Sequence, residues 1–383
     1  MADSDSPLPP LGQSIPLVPP LYQSSVYTLP DLDALDSILD GGAPGFIYAR
    51  DAHPNARALA EQLRVCEKAA WSVVCGSGMG AITASLLAVV QPGDRIVASN
   101  NLYGRTTQLL TKELDRYGIE TTFVDARDQR QVRGALEKPA RVLFVETMSN
   151  PLLAVADLQA LAEIAHAHDA LFMVDNTFAT PVLCRPLELG ADFVIESLTK
   201  MIGGHSDITL GLACGTGDHL LSVSSVVSIW GFASNPFDCW LAARGLASLP
   251  LRMQAASHNA AALADWLAEQ RGVARVVYPG RSDHPDHALA GRLLADGCGN
   301  MVAFELAGGR DAVNRFMRQA PGIPFSPSLG HTNTTCSHPA TTSHRYVSPA
   351  ERKRQGITDG LVRLSVGFED LKSIKEEMAK GLA

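Results

Sequence analysis

No stretch of the chain approaches the roughly 20 consecutive apolar residues that cross a bilayer, and no run of lysines and arginines forms a basic face. The first absence argues against a membrane-spanning segment, and the acidic start Met1-Ala2-Asp3-Ser4-Asp5-Ser6 is unlike a secretory leader. The second, with a formal net charge of −8, argues against nucleic acid or an anionic membrane surface as partner, because both select positive surface. A small-molecule ligand and a cytoplasmic location are the expectation. Also lacking is any CxxC pair. Cys66, Cys75, Cys184, Cys214, Cys239, Cys298 and Cys336 stand singly and in odd number, as in a chain kept reduced. Most have apolar neighbours, where a free thiol acts as a small buried hydrophobe, and none is assigned a catalytic role. Internal repeats are absent.

What is present is an ordinary globular balance: 383 residues, 46% hydrophobic and 19% charged, enough for two or three domains sharing a large core. Residues 1–50 are rich in Pro, Ser and Gly, with Pro7, Pro9, Pro10, Pro16, Pro19, Pro20 and Pro30 interrupting any continuous helix. They are predicted to form an extended arm without a core of its own, either mobile or laid on another surface such as a neighbouring subunit. From Trp71 onward, short apolar strands (71–75, 95–99, 121–124, 141–146, 171–175, 192–197) alternate with helical spacing (78–90, 106–117, 157–168). Such βαβ alternation implies an α/β fold with a mostly parallel sheet, whose ligands collect at the carboxyl ends of the strands. Glu146, Asp175 and Ser197 fall at such ends. Beyond Arg244 the pattern changes to a long helical stretch, strands at 300–306 and 361–366, and a closing helix at 370–380, which reads as a smaller α+β domain. The expected division is an arm (1–50), a large domain (51–245) and a small domain (246–383).

The most informative pair is Lys200, in Glu196-Ser197-Leu198-Thr199-Lys200-Met201-Ile202-Gly203-Gly204-His205-Ser206-Asp207, and Asp175, in Val174-Asp175-Asn176-Thr177-Phe178. An amine and a carboxylate so placed point to pyridoxal phosphate: the lysine bonds the cofactor aldehyde, and the aspartate keeps the ring nitrogen protonated. The segment Cys75-Gly76-Ser77-Gly78-Met79-Gly80 follows a strand and opens a helix, a cradle for phosphate. That loop also approaches a dinucleotide fingerprint, so a nicotinamide-dependent dehydrogenase is the rival reading and a non-catalytic scaffold the third. The dehydrogenase pattern wants a carboxylate ending the next strand, where this chain has Ala98-Ser99-Asn100. Tyr103 also reaches the rim and is either a ring that stacks on the cofactor and moves a proton or a half-buried core tyrosine. Arg363 interrupts an apolar strand; it either forks onto an amino-acid carboxylate or forms a structural salt bridge. His331, Cys336, His338 and His344 match no common zinc spacing, and no metal is expected. The contiguous Gly204-His205-Ser206-Asp207 cannot converge as a hydrolytic triad.

With these residues in place, the chain from about Val18 onward resembles the Cys/Met-metabolism (trans-sulfuration) enzymes of pyridoxal-phosphate fold type I, which include cystathionine γ-synthases, cystathionine lyases, methionine γ-lyases and homoserine-ester sulfhydrylases. Ser149-Asn150-Pro151, Ser328-Leu329-Gly330 and Arg363-Leu364-Ser365-Val366-Gly367 extend the likeness across both domains. It implies a seven-stranded, mostly parallel sheet with helices on both faces, and a homotetramer of two catalytic dimers. It further implies that Lys200 is the Schiff-base lysine and proton shuttle, Asp175 the partner of the ring nitrogen, and Tyr103 the stacking ring. Ser77, Gly78, Met79, Ser197 and Thr199 would hold the phosphate, and Asn150, Ser328 and Arg363 the substrate carboxylate. Tyr48 and Arg50 match a Tyr-x-Arg pair that reaches the phosphate of the neighbouring subunit. The implied reaction is γ-elimination or γ-replacement on a sulfur amino acid or homoserine ester. Departures bear on substrate choice. His53-Pro54-Asn55 stands for Asn-Pro-Thr, Met201 for an aromatic residue, Asn333 for a glutamate of cystathionine-handling members, and Arg105 for glycine or cysteine.

Overall fold

The computed structural model describes residues 14–295 and 297–383, so the first thirteen residues of the expected arm lie outside the described residues. Seven strands, β1 (Trp71–Cys75), β2 (Arg95–Ser99), β3 (Glu120–Val124), β4 (Val142–Glu146), β5 (Leu171–Asp175), β6 (Phe193–Glu196) and β7 (Gly211–Gly215), form one sheet in the order β1-β7-β6-β5-β4-β2-β3. Only β7 runs against its neighbours; the other pairings are parallel. The strand was not anticipated, because Gly211-Leu212-Ala213-Cys214-Gly215 is buried throughout and so shows no alternation. A Cβ at Gly211 would collide with the Ser77 carbonyl, so this glycine lets β7 press against the loop that follows β1 and opens the helix Gly78–Leu87.

Alternation along each strand divides the apolar side chains between two layers. On β4, Leu143 and Val145 join the core that contains Leu158, Leu161 and Ile164 of the helix Leu158–His166. Val142 and Phe144 join the opposite core with Ile82, Ala84 and Leu86 of the helix Gly78–Leu87. Helices therefore cover both faces. Each fully buried side chain of this size contributes roughly 1.5–3 kcal/mol. The predicted helix at 106–117 is subdivided: an α-turn Gly104–Gln108 widens into a π-turn Leu109–Glu113 and tightens into a 3-10 turn Asp115–Tyr117. Leu114 N–H reaches back to Leu109 O, the five-residue spacing of a π-bulge.

A second, antiparallel sheet contains β8 (Val273–Val277), β9 (Met301–Leu306), β10 (Thr335–Ser337) and β11 (Leu361–Ser365) in the order β10-β11-β9-β8. Phe304, Phe316 and Met378 are in its core. The helices Pro236–Ala247 and Leu249–Ala268 meet at Ser248, between the two sheets in the chain.

The arm departs from a fully extended form. Between Pro30 and Pro44 no proline intervenes, and Asp31 caps a helix Leu32–Leu39 by accepting the Ala34 N–H at 2.8 Å. The chain then returns, with Val26 bridged to Tyr48 and the Tyr27 and Phe46 rings 5.6 Å apart. Upstream, Pro19 O accepts Trp240 Nε1–H at 3.0 Å, and Asn55 clasps Pro20 O and Tyr22 N–H, each at 2.9 Å. This part of the arm is pinned to its own subunit.

Candidate active site

The carboxyl ends of β4, β5 and β6 open into a cavity of about 570 Å³. Register pairs Glu146 with Asp175 across neighbouring parallel strands, so both carboxyls face it side by side. Glu146 accepts the N–H groups of Tyr103 (2.6 Å) and Asn150 (3.3 Å), and Asp175 that of Thr177 (3.0 Å). Burial, then the Asp175 charge, holds Glu146 well above the usual carboxylate range, and burial raises Asp175. Neither has a lysine or arginine partner among the described residues. Two buried carboxyls of this kind fit a cationic ring nitrogen.

Lys200 stands in the turn after β6, its Nζ donating to Ser328 Oγ at 3.1 Å. Burial, then the Arg363 charge, lowers its pKa, which favours the unprotonated, nucleophilic amine. Gly330 holds this contact: its φ is +82°, and a Cβ there would lie 2.6 Å from the Lys200 carbonyl carbon, so only glycine brings the 328–330 loop onto the Lys200 backbone.

At the other end of the cavity, Ser77 caps the helix Gly78–Leu87 by accepting Gly80 N–H at 3.0 Å, which leaves its own O–H to donate. The first-turn N–H groups of Gly78 and Met79 have no acceptor within the helix. A Cβ on Gly78 would lie 2.8 Å from Ser197 Cβ, so the bare backbone brings Ser197 alongside. Thr199 lines the cavity too, but its hydroxyl donates to Leu210 O at 3.1 Å and accepts Leu210 N–H at 3.0 Å. Its proton is committed to bracing the rim.

Arg363, on β11, is buried with no carboxylate partner among the described residues. Nη1 donates to Asn150 Oδ1 (2.8 Å), Nη2 to Ser328 O (3.1 Å), and Nε has no acceptor. Burial lowers its pKa to about 10, the Tyr103 oxygen offsetting part of this. A buried guanidinium that lines the cavity without a carboxylate of its own fits an amino-acid carboxylate. Tyr103 lines the wall, and Arg105 beside it lays its guanidinium over the Tyr346 ring at 4.7 Å and donates to Gln108 Oε1 at 2.8 Å.

Three sequence candidates lie outside this cavity's wall. Arg50 is over the Tyr48 ring at 5.3 Å, and both are well exposed on the arm. Asn333 is exposed and accepts the Thr332 hydroxyl at 2.9 Å. The histidine and cysteine set disperses: His338 bonds the Thr341 hydroxyl and Asp359 O, whereas His331 meets Ser206. Among the described residues, no three potential ligands converge as a metal site. Sequence reasoning noted Glu146 only as a strand end and missed Tyr346 and the 341–343 segment. Tyr346 carries no local signal, since it reaches the cavity only through tertiary packing.

The acid pair, the poised lysine, the helix N-terminus and the buried arginine without a carboxylate partner fit pyridoxal phosphate and an amino acid. Comparison with known proteins agrees. The family model for Cys/Met metabolism PLP-dependent enzymes matches residues 12–383. O-succinylhomoserine sulfhydrylase of Pseudomonas aeruginosa is 41% identical, covering 95% of this chain and 90% of the relative. L-methionine gamma-lyase of Porphyromonas gingivalis is 37% identical, covering 96% and 92%. The crystal structure of cystathionine gamma synthase from Xanthomonas oryzae pv. oryzae in complex with cystathionine superposes with a TM-score of 0.90 at 35% identity, covering 95% and 92%. The chain belongs to the Cys/Met-metabolism family of pyridoxal-phosphate-dependent enzymes.

Proposed function

We propose that the protein performs γ-replacement or γ-elimination on a homoserine ester whose acyl group ends in a carboxylate. The observation that carries this choice is Arg105, a cation on the cavity wall that stacks on Tyr346 and has no carboxylate partner among the described residues. It could take a distal anion, and the likeness to an O-succinylhomoserine sulfhydrylase supports that reading.

The bound cofactor supplies a charged ring that accepts the electron pair when the Cα–H bond breaks. The chain does the rest. Arg363 and Asn150 clamp the substrate carboxylate, and Ser328 aims Lys200, whose lowered pKa suits it to take the Cα proton. Asp175 balances the ring cation. A second proton is then lost from Cβ, with Tyr103, held at its N–H by Glu146, assisting the transfer, and the electron pair left behind forms the Cβ–Cγ double bond as the γ-substituent departs with its own bonding pair. A thiol then adds, or water completes elimination.

The test is product analysis with succinyl and acetyl homoserine esters, cystathionine and methionine, each with and without a thiol. Arg105→Ala should raise KM for the succinyl ester about tenfold or more, the worth of a charge-assisted hydrogen bond, and leave the acetyl ester and methionine nearly unchanged. Equal effects on all three would overturn the distal-anion role.

The phosphate end of the cavity is lined by Ser77, Gly78, Met79, Ser197 and Thr199, with no cationic side chain among them. Arg50 of a neighbouring subunit would supply one, which supports a shared-site dimer and the homotetramer built from two of them. Seven unbridged cysteines fit a reducing compartment such as the cytoplasm.

A further inference from the structure

Behind the cavity lies a second row of polar residues. Glu146, Asp175 and Ser197 face the cofactor cavity; the residues next to them, Thr147, Asn176 and Glu196, are fully buried. Thr147 Oγ1 donates to Asn176 Oδ1 at 2.7 Å, and Asn176 Nδ2 donates to Glu196 Oε1 at 3.0 Å and to Cys184 O at 2.9 Å. The row ends at Glu67, the last residue of the helix Pro54–Glu67 and also fully buried, whose carboxyl lies within hydrogen-bond reach of that of Glu196. As carboxylates, Glu67 Oε1 and Oε2 and Glu196 Oε2 would have no donor at all. A proton on one of the two turns the contact into a hydrogen bond and leaves one charge, which the Asn176 amide serves.

We propose that Glu67 and Glu196 share a single proton and, through Asn176 and Thr147, hold the ends of β4, β5 and β6 in the register that presents Asp175 and Ser197 to the cofactor. They are positioning residues, and the inference is independent of which substrate the enzyme takes. The surroundings agree. Burial raises the pKa of both glutamates, Glu67 to about 7 although its hydrogen bond with Glu196 pulls it down, while the Glu67 carboxyl and then Asp175 add to the rise at Glu196. Arg185 opposes this at Glu67, but its guanidinium is partly exposed and lies 3.5 Å from Glu188. The thiols of Cys184 and Cys214, raised by burial and by the same two glutamates, remain neutral. Cys66 is likewise raised, and Lys68 is paired with Glu188 on the surface.

The test uses the holoenzyme and the isosteric variants Glu67→Gln and Glu196→Gln, in which an amide replaces the shared proton. Infrared difference spectra at pH 6, wild type minus each variant, should show the carbonyl band of a neutral buried carboxylic acid, because any contribution of the buried Glu146 carboxyl is common to both and cancels. Because the native pair binds a proton that the unfolded chain releases, its stabilisation is full below the ordinary glutamate value of 4.5 and is lost as pH rises toward about 7. Relative to Glu67→Gln, the wild type should lose about tenfold in its folding equilibrium constant per pH unit across that window. Its bound-cofactor absorption and retention on dialysis should change over the same window, while those of the variant stay level. Difference spectra that lack the band for both variants overturn the shared proton. Cofactor curves that coincide in wild type and variant overturn the positioning role. Should one variant not fold, the other serves; should neither fold, a wild-type acid band that is lost over the same pH window as the bound-cofactor absorption supports the proposal, and one that is not overturns it.

Discussion

Lys200 and Asp175 owe their chemistry to immediate neighbours. The lysine is dried by burial and repelled by Arg363, and the aspartate sits against Glu146 with no cation of the chain to satisfy it. Asp175→Ala should therefore still bind cofactor but lose exchange of the substrate Cα proton by about 10²–10³-fold, the scale of one well-placed electrostatic group. Deuterium exchange followed by NMR reads this, and a wild-type rate would reject the assignment. Lys200→Ala fails earlier, since borohydride should no longer attach cofactor to the chain; a labelled peptide elsewhere would show that another lysine carries it. These two residues were legible because their types, with Asp175 at a strand end and Lys200 in the segment just after the next strand, state their chemistry. Thr199 was legible too, yet its hydroxyl turned out to serve Leu210, a contact that depends on β7.

At the scale of elements, six strands of the large sheet could be read from apolar runs, and β7 could not. Its residues are buried on both sides and pair with β1 and β6, and no periodicity marks such a strand. The helix after the arm shows how a departure in sequence is accommodated. His53 caps Pro54–Glu67 through Nδ1, which accepts Ala56 N–H at 3.1 Å, while Nε2 meets Ser234 Oγ at 3.2 Å. Only an unprotonated Nδ1 can accept, and burial lowers the His53 pKa below its ordinary 6.5. As pH falls below about 6.5 the unfolded chain takes up a proton before the folded one does, so the stability present above that value is lost. His53→Asn keeps the cap without the titration. Its melting temperature should fall less than the wild type's between pH 6.5 and 5, and identical slopes would remove His53 from the account.

For the whole molecule, the question is where Arg50 acts. Part of the arm is fastened to its own subunit through Asn55 and Trp240, yet Arg50 and Tyr48 stay outside its cavity. Arg50→Ala and Lys200→Ala should each be weak or inactive alone. Random co-assembly makes about half of the dimers mixed, each with one site of wild-type composition, so about a quarter of all sites should recover. Activity on co-expression no better than the mean of the separate variants would place Arg50 in its own subunit's service.

The sequence by itself determined the α/β class, the cofactor and most of the named residues that line the candidate cavity, because strand ends, a glycine-opened helix and an out-of-place arginine are local signals. Tertiary structure alone decided which distant residues share the cavity. Ser328 meets Lys200 across 128 residues, and Arg363 meets Asn150 across 213. It also set Arg105 on Tyr346, kept Asn333 on the surface, and closed Glu67 onto Glu196. Each of these contacts joins separate elements packed together, and burial between those elements shifts the protonation of Lys200, Arg363 and the paired carboxyls in ways that no residue shows on its own.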